Sequence, residues 1–475
     1  MKIVLINPPE MIAGEERGTG FGARSFVKQL RVLPPLGLAY LAAVLRNASH
    51  QVELIDANAL RIGPDEVVRN TCALSPDVVG ITCVTPIFPV VVSICRSLKA
   101  LQPALRIVGG GPQVTIMPDL TMENTAFDFG IEGEAEMAMP RLLDAIGQGV
   151  KPVGIGGVLF RENGHVTRNG PAEIMPIDDI PFPWREILPN ERYFDMTTEA
   201  KRVSSIMTAR GCPYRCSFCE RYIRGGHYRA RSADNVTAEL QELVTRHGCT
   251  EIVIYDDTFT ANKKRAAEIC EKIMERGLKF RWDCRTRVDC VDADLLKLMA
   301  RAGCSRISFG VESAQADVLG LFNKRITIEQ VEQAFAMTRA AGIKILAYFM
   351  LGAPGETRDS IENTMAVSRK LNPDFAYYSI VVPYPGTDLY DHALSKGLIR
   401  FDYWKEYVRS EGKLKEPTPM FEHGDITREY LASALRSAYA RFYVRPAYIA
   451  RRFRSIKSLS DFAWHVKMAR ATLMT

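Results

Sequence analysis

No apolar run in the sequence reaches the roughly 18–20 residues that a membrane-spanning helix needs. The opening stretch, MKIVLINPPE, has one lysine and a short apolar segment that stops at Pro8-Pro9, with no small-residue cleavage site. It reads as a first strand and not as a secretory leader, so a cytoplasmic protein is expected. Solenoid-period repeats and low-complexity tracts are also missing. Charge of either sign is nearly balanced: +6 over 475 residues does not by itself imply nucleic acid, and no nucleic-acid partner is expected. A disulfide framework is not expected of eleven cysteines in a long chain that reads as cytosolic. Eight of them (Cys72, Cys83, Cys95, Cys249, Cys270, Cys284, Cys290, Cys304) are scattered among apolar or helical residues and read as small buried hydrophobes.

What is present is a globular composition, 47% hydrophobic and 24% charged, in a length that suits two or three domains. The fold class is α/β. KIVLIN, QVELIDAN, DVVGITCV and RIVGGGP are continuous apolar strands separated by helical stretches, the mark of a Rossmann-like parallel sheet covered on both faces. It is assigned to residues 1–146. Residues 147–198 are rich in Gly and Pro and read as a linker carrying a small Asn-Gly hairpin. A second series, SSIMTA, EIVIYDD, FRWDCRT, RISFGVES, KILAYFMLG and FAYYSIVVP, alternates with helices over residues 199–396 and predicts a partial (β/α) barrel. Residues 397–475 read as a mostly helical, basic region. Ligands of both α/β units belong at the carboxyl ends of their strands.

One motif stands out. ARGCPYRCSFCE sets Cys212, Cys216 and Cys219 in the spacing C-x3-C-x2-C directly after the first barrel strand. Three thiolates on one loop suit three irons of a 4Fe–4S cluster and leave the fourth iron open. A zinc site would want a fourth ligand, and the nearest is His227.

This motif, with Phe218 before its last cysteine, resembles the radical S-adenosylmethionine (SAM) superfamily, and the strand ends agree in order. The resemblance implies SAM contacts from IYDDTF (Asp256, Asp257), RTRVD (Arg285, Arg287), GVES (Glu312, Ser313), MLGAPGET (Gly352, Gly355) and VVPYPGT (Pro383). The earlier segments INPP, GITCVTP, VGGGPQVT and GEAE resemble the cobalamin-binding domain of the cobalamin-dependent subclass. They imply cobalamin contacts from Asn7, Pro8, Thr82, Thr85, Pro86, Gly110, Gly111, Gln113 and Glu134. The Asp-x-His-x-x-Gly motif that supplies a cobalt ligand in many such domains is missing. Gln113 stands where histidine is common, so cobalt without a histidine from this domain is expected.

The resemblance, to the hopanoid-methylase and anaerobic magnesium-protoporphyrin-cyclase type, implies three cofactors: a 4Fe–4S cluster, SAM and cobalamin. It implies a 5′-deoxyadenosyl radical that takes a hydrogen from the substrate, then methyl transfer from methylcobalamin to an unactivated carbon. An oxidative or ring-forming reaction with the same cofactors is the alternative. A methylthiotransferase, with Cys72, Cys83 and Cys95 as a second cluster site, and a cobalamin sensor or carrier are weaker readings. The expected partners are a small-molecule or lipid-like substrate and an external one-electron donor of flavodoxin or ferredoxin type. Arg436, Arg441, Arg445, Arg451, Arg452, Arg454 and Lys457 lie among apolar residues in the tail, which also suits peripheral contact with the inner membrane. The plainer reading, a helical cap over the barrel mouth, is preferred.

Overall fold

The computed structural model describes residues 1–10, 31–195, 198, 200, 202–220, 227–414 and 418–455. The amino-terminal half is built on a seven-stranded sheet. Its strands Lys2–Asn7, Gln51–Asp56, Val78–Thr82, Arg106–Gly110 and Phe129–Ile131 are parallel and, numbered by appearance, lie in the order 2-1-3-4-5. Ile3 and Leu5 enter one core with helix Ala138–Gln148, while Val4 and Ile6 enter another with helices Pro64–Leu74 and Phe88–Leu101. Covering both faces is what makes the strand apolar at every position. The winding reverses between the first and third strands, so a crevice is expected beyond Asn7 and Thr82.

The hairpin Val158–Glu162/His165–Arg168 turns at Asn163-Gly164, where both residues have positive φ (50° and 83°), as an Asn-Gly turn favours. The sequence reading placed it in a linker. It instead pairs antiparallel with Phe129–Ile131, so the sheet runs on across the 146/147 boundary. The reason is burial: Val158 and Leu159 enter the two cores on either face of the sheet, and Phe160 is buried as well.

The second half is a six-stranded parallel sheet, Val203–Ile206, Glu251–Ile254, Arg281–Thr286, Cys304–Glu312, Lys344–Leu351 and Phe375–Ile380, paired in chain order. All six expected strands form. Six strands do not close a barrel of the eight-stranded kind, and the last strand is an edge. The Tyr439 hydroxyl accepts from Tyr378 N at 3.2 Å and donates to Tyr378 O at 3.0 Å. Tyr443 makes the same pair of bonds to Ala376, at 3.0 and 2.8 Å. Both tyrosines belong to helix Arg428–Tyr443, which satisfies backbone groups that an exposed edge would offer to another strand. Helix Arg428–Tyr443 therefore covers the barrel's edge, and its first turn reaches the strand end at Gly352 through Leu431. The side chains of Arg452 and Arg454, and Lys457, lie outside the described residues.

Candidate functional site

The cysteine loop is held at its base before it holds anything itself. Ala209–Arg210 pairs antiparallel with Arg229–Ala230, bracketing the loop. The buried Asp256 carboxylate accepts from Thr208 N (2.6 Å), Thr208 Oγ1 (2.5 Å) and Ala209 N (3.1 Å). Arg265 Nη2 donates to Thr208 O at 2.6 Å. Gly211 has φ 79°, and a Cβ there would stand 2.3 Å from His227 O. Gly211→Ala is expected to cost more than the ~1–2 kcal/mol of a left-handed backbone, and bound iron after reconstitution should fall well below that of the wild type.

The surroundings of Cys212 and Cys216 are polar or cationic, whereas burial and the charges of Asp257 and Glu220 push the Cys219 thiol up. Cys212 Sγ lies 3.4 Å from Thr258 Oγ1, and Arg287 Nη1 donates to Cys216 Sγ at 3.7 Å. Burial pushes the Cys216 thiol up, opposed by the Lys324 and Arg287 charges. Arg287 also stacks over Tyr214 at 4.1 Å and donates to Asp289 (2.9 Å) and Lys324 O (2.6 Å). The Lys324 and Arg287 cations suit a thiolate at Cys216.

Glu312 ends the fourth strand at φ 71°, beyond a register shift. Its buried carboxylate accepts from Lys324 Nζ at 2.8 Å. That conformation is strained for a non-glycine residue, and the buried ion pair fixes it. Sequence reasoning missed Lys324, which follows twelve residues later in a turn with no readable pattern. Arg285 lies over the Tyr255 ring at 4.4 Å, and its charge lowers the Tyr255 pKa. Asp257 is exposed, and Phe218 packs edge-on to Phe322 at 5.0 Å.

Three other candidates have structural partners. Ser313 is fully buried, with its Oγ 3.3 Å from Thr364 Oγ1. Gly352 (φ 80°) leaves room for Leu431, which a Cβ would meet at 2.8 Å. Pro383 O accepts from Trp404 Nε1 at 2.7 Å. Gly355 (φ 81°) is open, with nothing within 4 Å of a Cβ position.

Glu356, also missed, accepts from Gly352 N and Ala353 N at 2.8 Å each. Burial pushes its carboxyl from 4.5 up to about 7. The native state therefore holds this proton more tightly than the unfolded chain. That stabilisation is complete below about pH 4.5 and is lost as pH rises through about 7, by at most about 3 kcal/mol. Glu356→Gln keeps the acceptor and should flatten thermal stability between about pH 5 and 8.

At the other half's crevice, Asn7 Nδ2 donates to Asp56 Oδ1 at 2.8 Å, and Pro8 O accepts from Asn58 Nδ2 at 3.1 Å. Gly111 has φ 90°, and a Cβ on it would reach within 2.7 Å of Thr82 Oγ1, whereas a Cβ on Gly110 meets nothing within 4 Å. The turn thus needs glycine at one position and leaves open space at the next. Thr85 is buried, and Pro86 O accepts from Tyr407 OH at 3.4 Å. Gln113 is fully buried. Its Nε2 donates to Thr121 Oγ1 at 2.9 Å, while its Oε1 has no hydrogen-bond partner. The open turn and this orphaned acceptor fit a ligand with hydrogen-bond donors at the strand ends. Cys83 and Cys95 are fully buried in apolar core, as small hydrophobes would be.

Glu134 is placed differently from expectation. It lies 2.8 Å from Arg210 and also pairs with Arg229, while Glu136 bonds Arg210 at 2.5 Å. GEAE is thus a buried latch on the base of the cysteine loop. Helix Tyr403–Arg409 adds a second bridge, since Trp404 bonds Pro383 and Tyr407 bonds Pro86. The two strand-end edges are held face to face.

Residues 28–143 match the B12-binding domain and residues 206–367 the radical SAM superfamily. An uncharacterised methyltransferase of Pyrococcus horikoshii is 34% identical over 94% of this chain and 93% of its own. The chain belongs to the cobalamin-dependent radical SAM enzymes. The anaerobic magnesium-protoporphyrin IX monomethyl ester cyclase of Rubrivivax gelatinosus is 31% identical, over 88% of this chain and 75% of its own. The radical SAM methyltransferase TsrM of Kitasatospora setae, solved with cobalamin and a 4Fe–4S cluster, shares the fold: TM-score 0.72 at 19% identity, covering 94% of this chain and 89% of that one. A cobalamin-dependent radical SAM enzyme uses a 4Fe–4S cluster, SAM and cobalamin. Here the cysteine loop and the glycine turn supply donor sets that fit the cluster and the corrinoid.

Proposed function

We propose that this enzyme transfers a methyl group to an unactivated carbon of a small or lipid-like substrate. In that chemistry the cluster cleaves SAM to a 5′-deoxyadenosyl radical, and cobalamin carries the methyl group. Cys212, Cys216 and Cys219 hold the cluster. Glu312, fixed by Lys324, binds the SAM amino group, and Arg285 and Arg287 supply positive charge toward its carboxylate. Asn7, Thr82, Gly110 and Gly111 border the cobalamin, without a histidine for cobalt. The substrate lies between the two strand-end edges, over Arg285 and Tyr255. The observation that carries the reading is the match to a methyltransferase along nearly the whole chain.

The test is anaerobic turnover of trideuteromethyl-SAM with a metabolite extract. Label should pass first to bound cobalamin and then to one product. Formation of 5′-deoxyadenosine with no label in either would favour the ring-forming reading, which the identity to the cyclase supports.

We further propose that the enzyme is cytoplasmic, draws its electron from a flavodoxin or ferredoxin, and touches an anionic membrane surface. No helix among the described residues is long and apolar enough to cross a membrane. Exposed Arg436, and Arg441, which also pairs with Glu362, precede Val444 (50% exposed) and Ile449 (38% exposed) in the chain, a mixture of basic and apolar residues suited to a bilayer surface.

A further inference from the structure

Helix Arg358–Leu371 ends among arginines. Three of them cap it or the residues just after it. Arg445 Nη1 donates to Arg369 O at 2.9 Å, Arg339 Nη2 to Asn372 O at 3.0 Å and Arg451 Nη2 to Pro373 O at 2.9 Å. A helix carboxyl end carries about half a negative charge, so three full positive charges overcompensate it. Arg369, in the last turn of the same helix, caps nothing. Its side chain makes no hydrogen bond or ion pair among the described residues, and its Nη1 is buried without a partner.

Arg369 borders an open groove of about 530 Å³, whose other walls are Ala440, Arg441, Val444 and Arg445. Arg445 Nε is likewise buried without a partner. Burial lowers the Arg445 pKa, and the charges of Arg451 and Arg369 lower it further. The carboxylates nearby are few. Glu362 pairs with Arg441 at 2.6 Å, both side chains being about half-exposed, and Glu332 pairs with Lys370 at 2.9 Å. Asp374 acts on Arg339 and accepts from Ile345 N at 2.9 Å. Three arginines therefore line the groove against one facing carboxylate, and two buried donor nitrogens await an acceptor. Exposed Ala440 and Val444 add apolar surface beside them.

We infer that the groove of Arg369, Arg441 and Arg445 binds a phosphate group. Guanidinium groups match phosphate oxygens in geometry and charge. The phosphate comes from a phospholipid headgroup or from a free phosphate, and the apolar wall favours the headgroup. As a headgroup site the groove rests on the membrane contact proposed above.

The test uses the full-length enzyme in two assays: flotation with phosphatidylcholine vesicles containing phosphatidylglycerol, and calorimetric titration with inorganic phosphate. R369Q/R441Q is expected to weaken binding at least roughly tenfold, because charge-assisted hydrogen bonds are lost. K264Q/K279Q, which removes two exposed lysines from helix Lys263–Glu275 and the turn after it, should bind as the wild type does. Flotation lost in R369Q/R441Q alone supports the headgroup site. Phosphate binding with that pattern in a protein that never floats supports the groove with free phosphate, and overturns the membrane contact. Flotation equal in wild type and R369Q/R441Q, or weakened equally in both double variants, overturns the groove and leaves the membrane contact standing. A wild type that binds neither vesicles nor phosphate overturns both.

Discussion

Cys216→Ala is expected to reduce SAM cleavage to background and to leave the protein with little bound iron. Of the three cysteines, Cys216 is the most enclosed, and two buried cations face it: Arg287 at 3.7 Å, and Lys324, whose charge acts on the same thiol. Removing the sulfur removes a cluster ligand and also the negative charge those cations stabilise. Lys324→Met probes the same ion balance from the other side. It leaves Glu312 as a buried carboxylate without its partner, in a strained backbone. Loss of one member of a buried pair costs about 3–5 kcal/mol. Iron content should survive Lys324→Met, while SAM affinity should fall. Iron determination and equilibrium SAM binding on both variants separate cluster assembly from SAM positioning.

Arg210→Met should produce the second large effect, by opening the latch between the two halves. Arg210 is the shared partner of Glu134 and Glu136, all three side chains being less than a tenth exposed. With Arg210 gone, Glu136 loses its ion-pair partner and Glu134 keeps Arg229 alone among the described residues. The same ~3–5 kcal/mol applies, concentrated where the cysteine loop meets the glycine-turn half. Thermal unfolding should show the loss. The informative readout is coupling: 5′-deoxyadenosine should still form, but with fewer methyl transfers per SAM cleaved, because the cluster loop is no longer fixed against the cobalamin domain. Unchanged coupling would mean that the latch serves stability alone.

Much of this architecture was legible because it depends on local pattern. Strands buried on both faces are apolar at every position, as in KIVLIN, and the six barrel strands alternate with amphipathic helices. The cysteine spacing is local as well. What escaped was whatever depends on a partner far along the chain. Glu134 reads as a ligand contact within GEAE, but its partners lie at Arg210 and Arg229, and nothing near GEAE announces them. Ser313 belongs to a recognisable strand-end segment, yet Thr364, fifty-one residues on, accounts for its hydroxyl. The hairpin was legible as a hairpin, whereas its place in the sheet depends on the short strand Phe129–Ile131. Lys324 and Glu356 carry no motif signal beyond a charged residue beside a tight turn. Their importance appears only once burial is known.

The central claim is that one chain holds a cluster and a corrinoid across facing strand ends. The most direct test is anaerobic reconstitution with iron, sulfide and hydroxocobalamin, followed by desalting and measurement of iron, cobalt and the absorption spectrum. About four irons and one cobalamin retained per chain are predicted, with iron lost and cobalamin kept in the triple cysteine-to-alanine variant. A protein that keeps its irons but releases all cobalamin on desalting would contradict the claim.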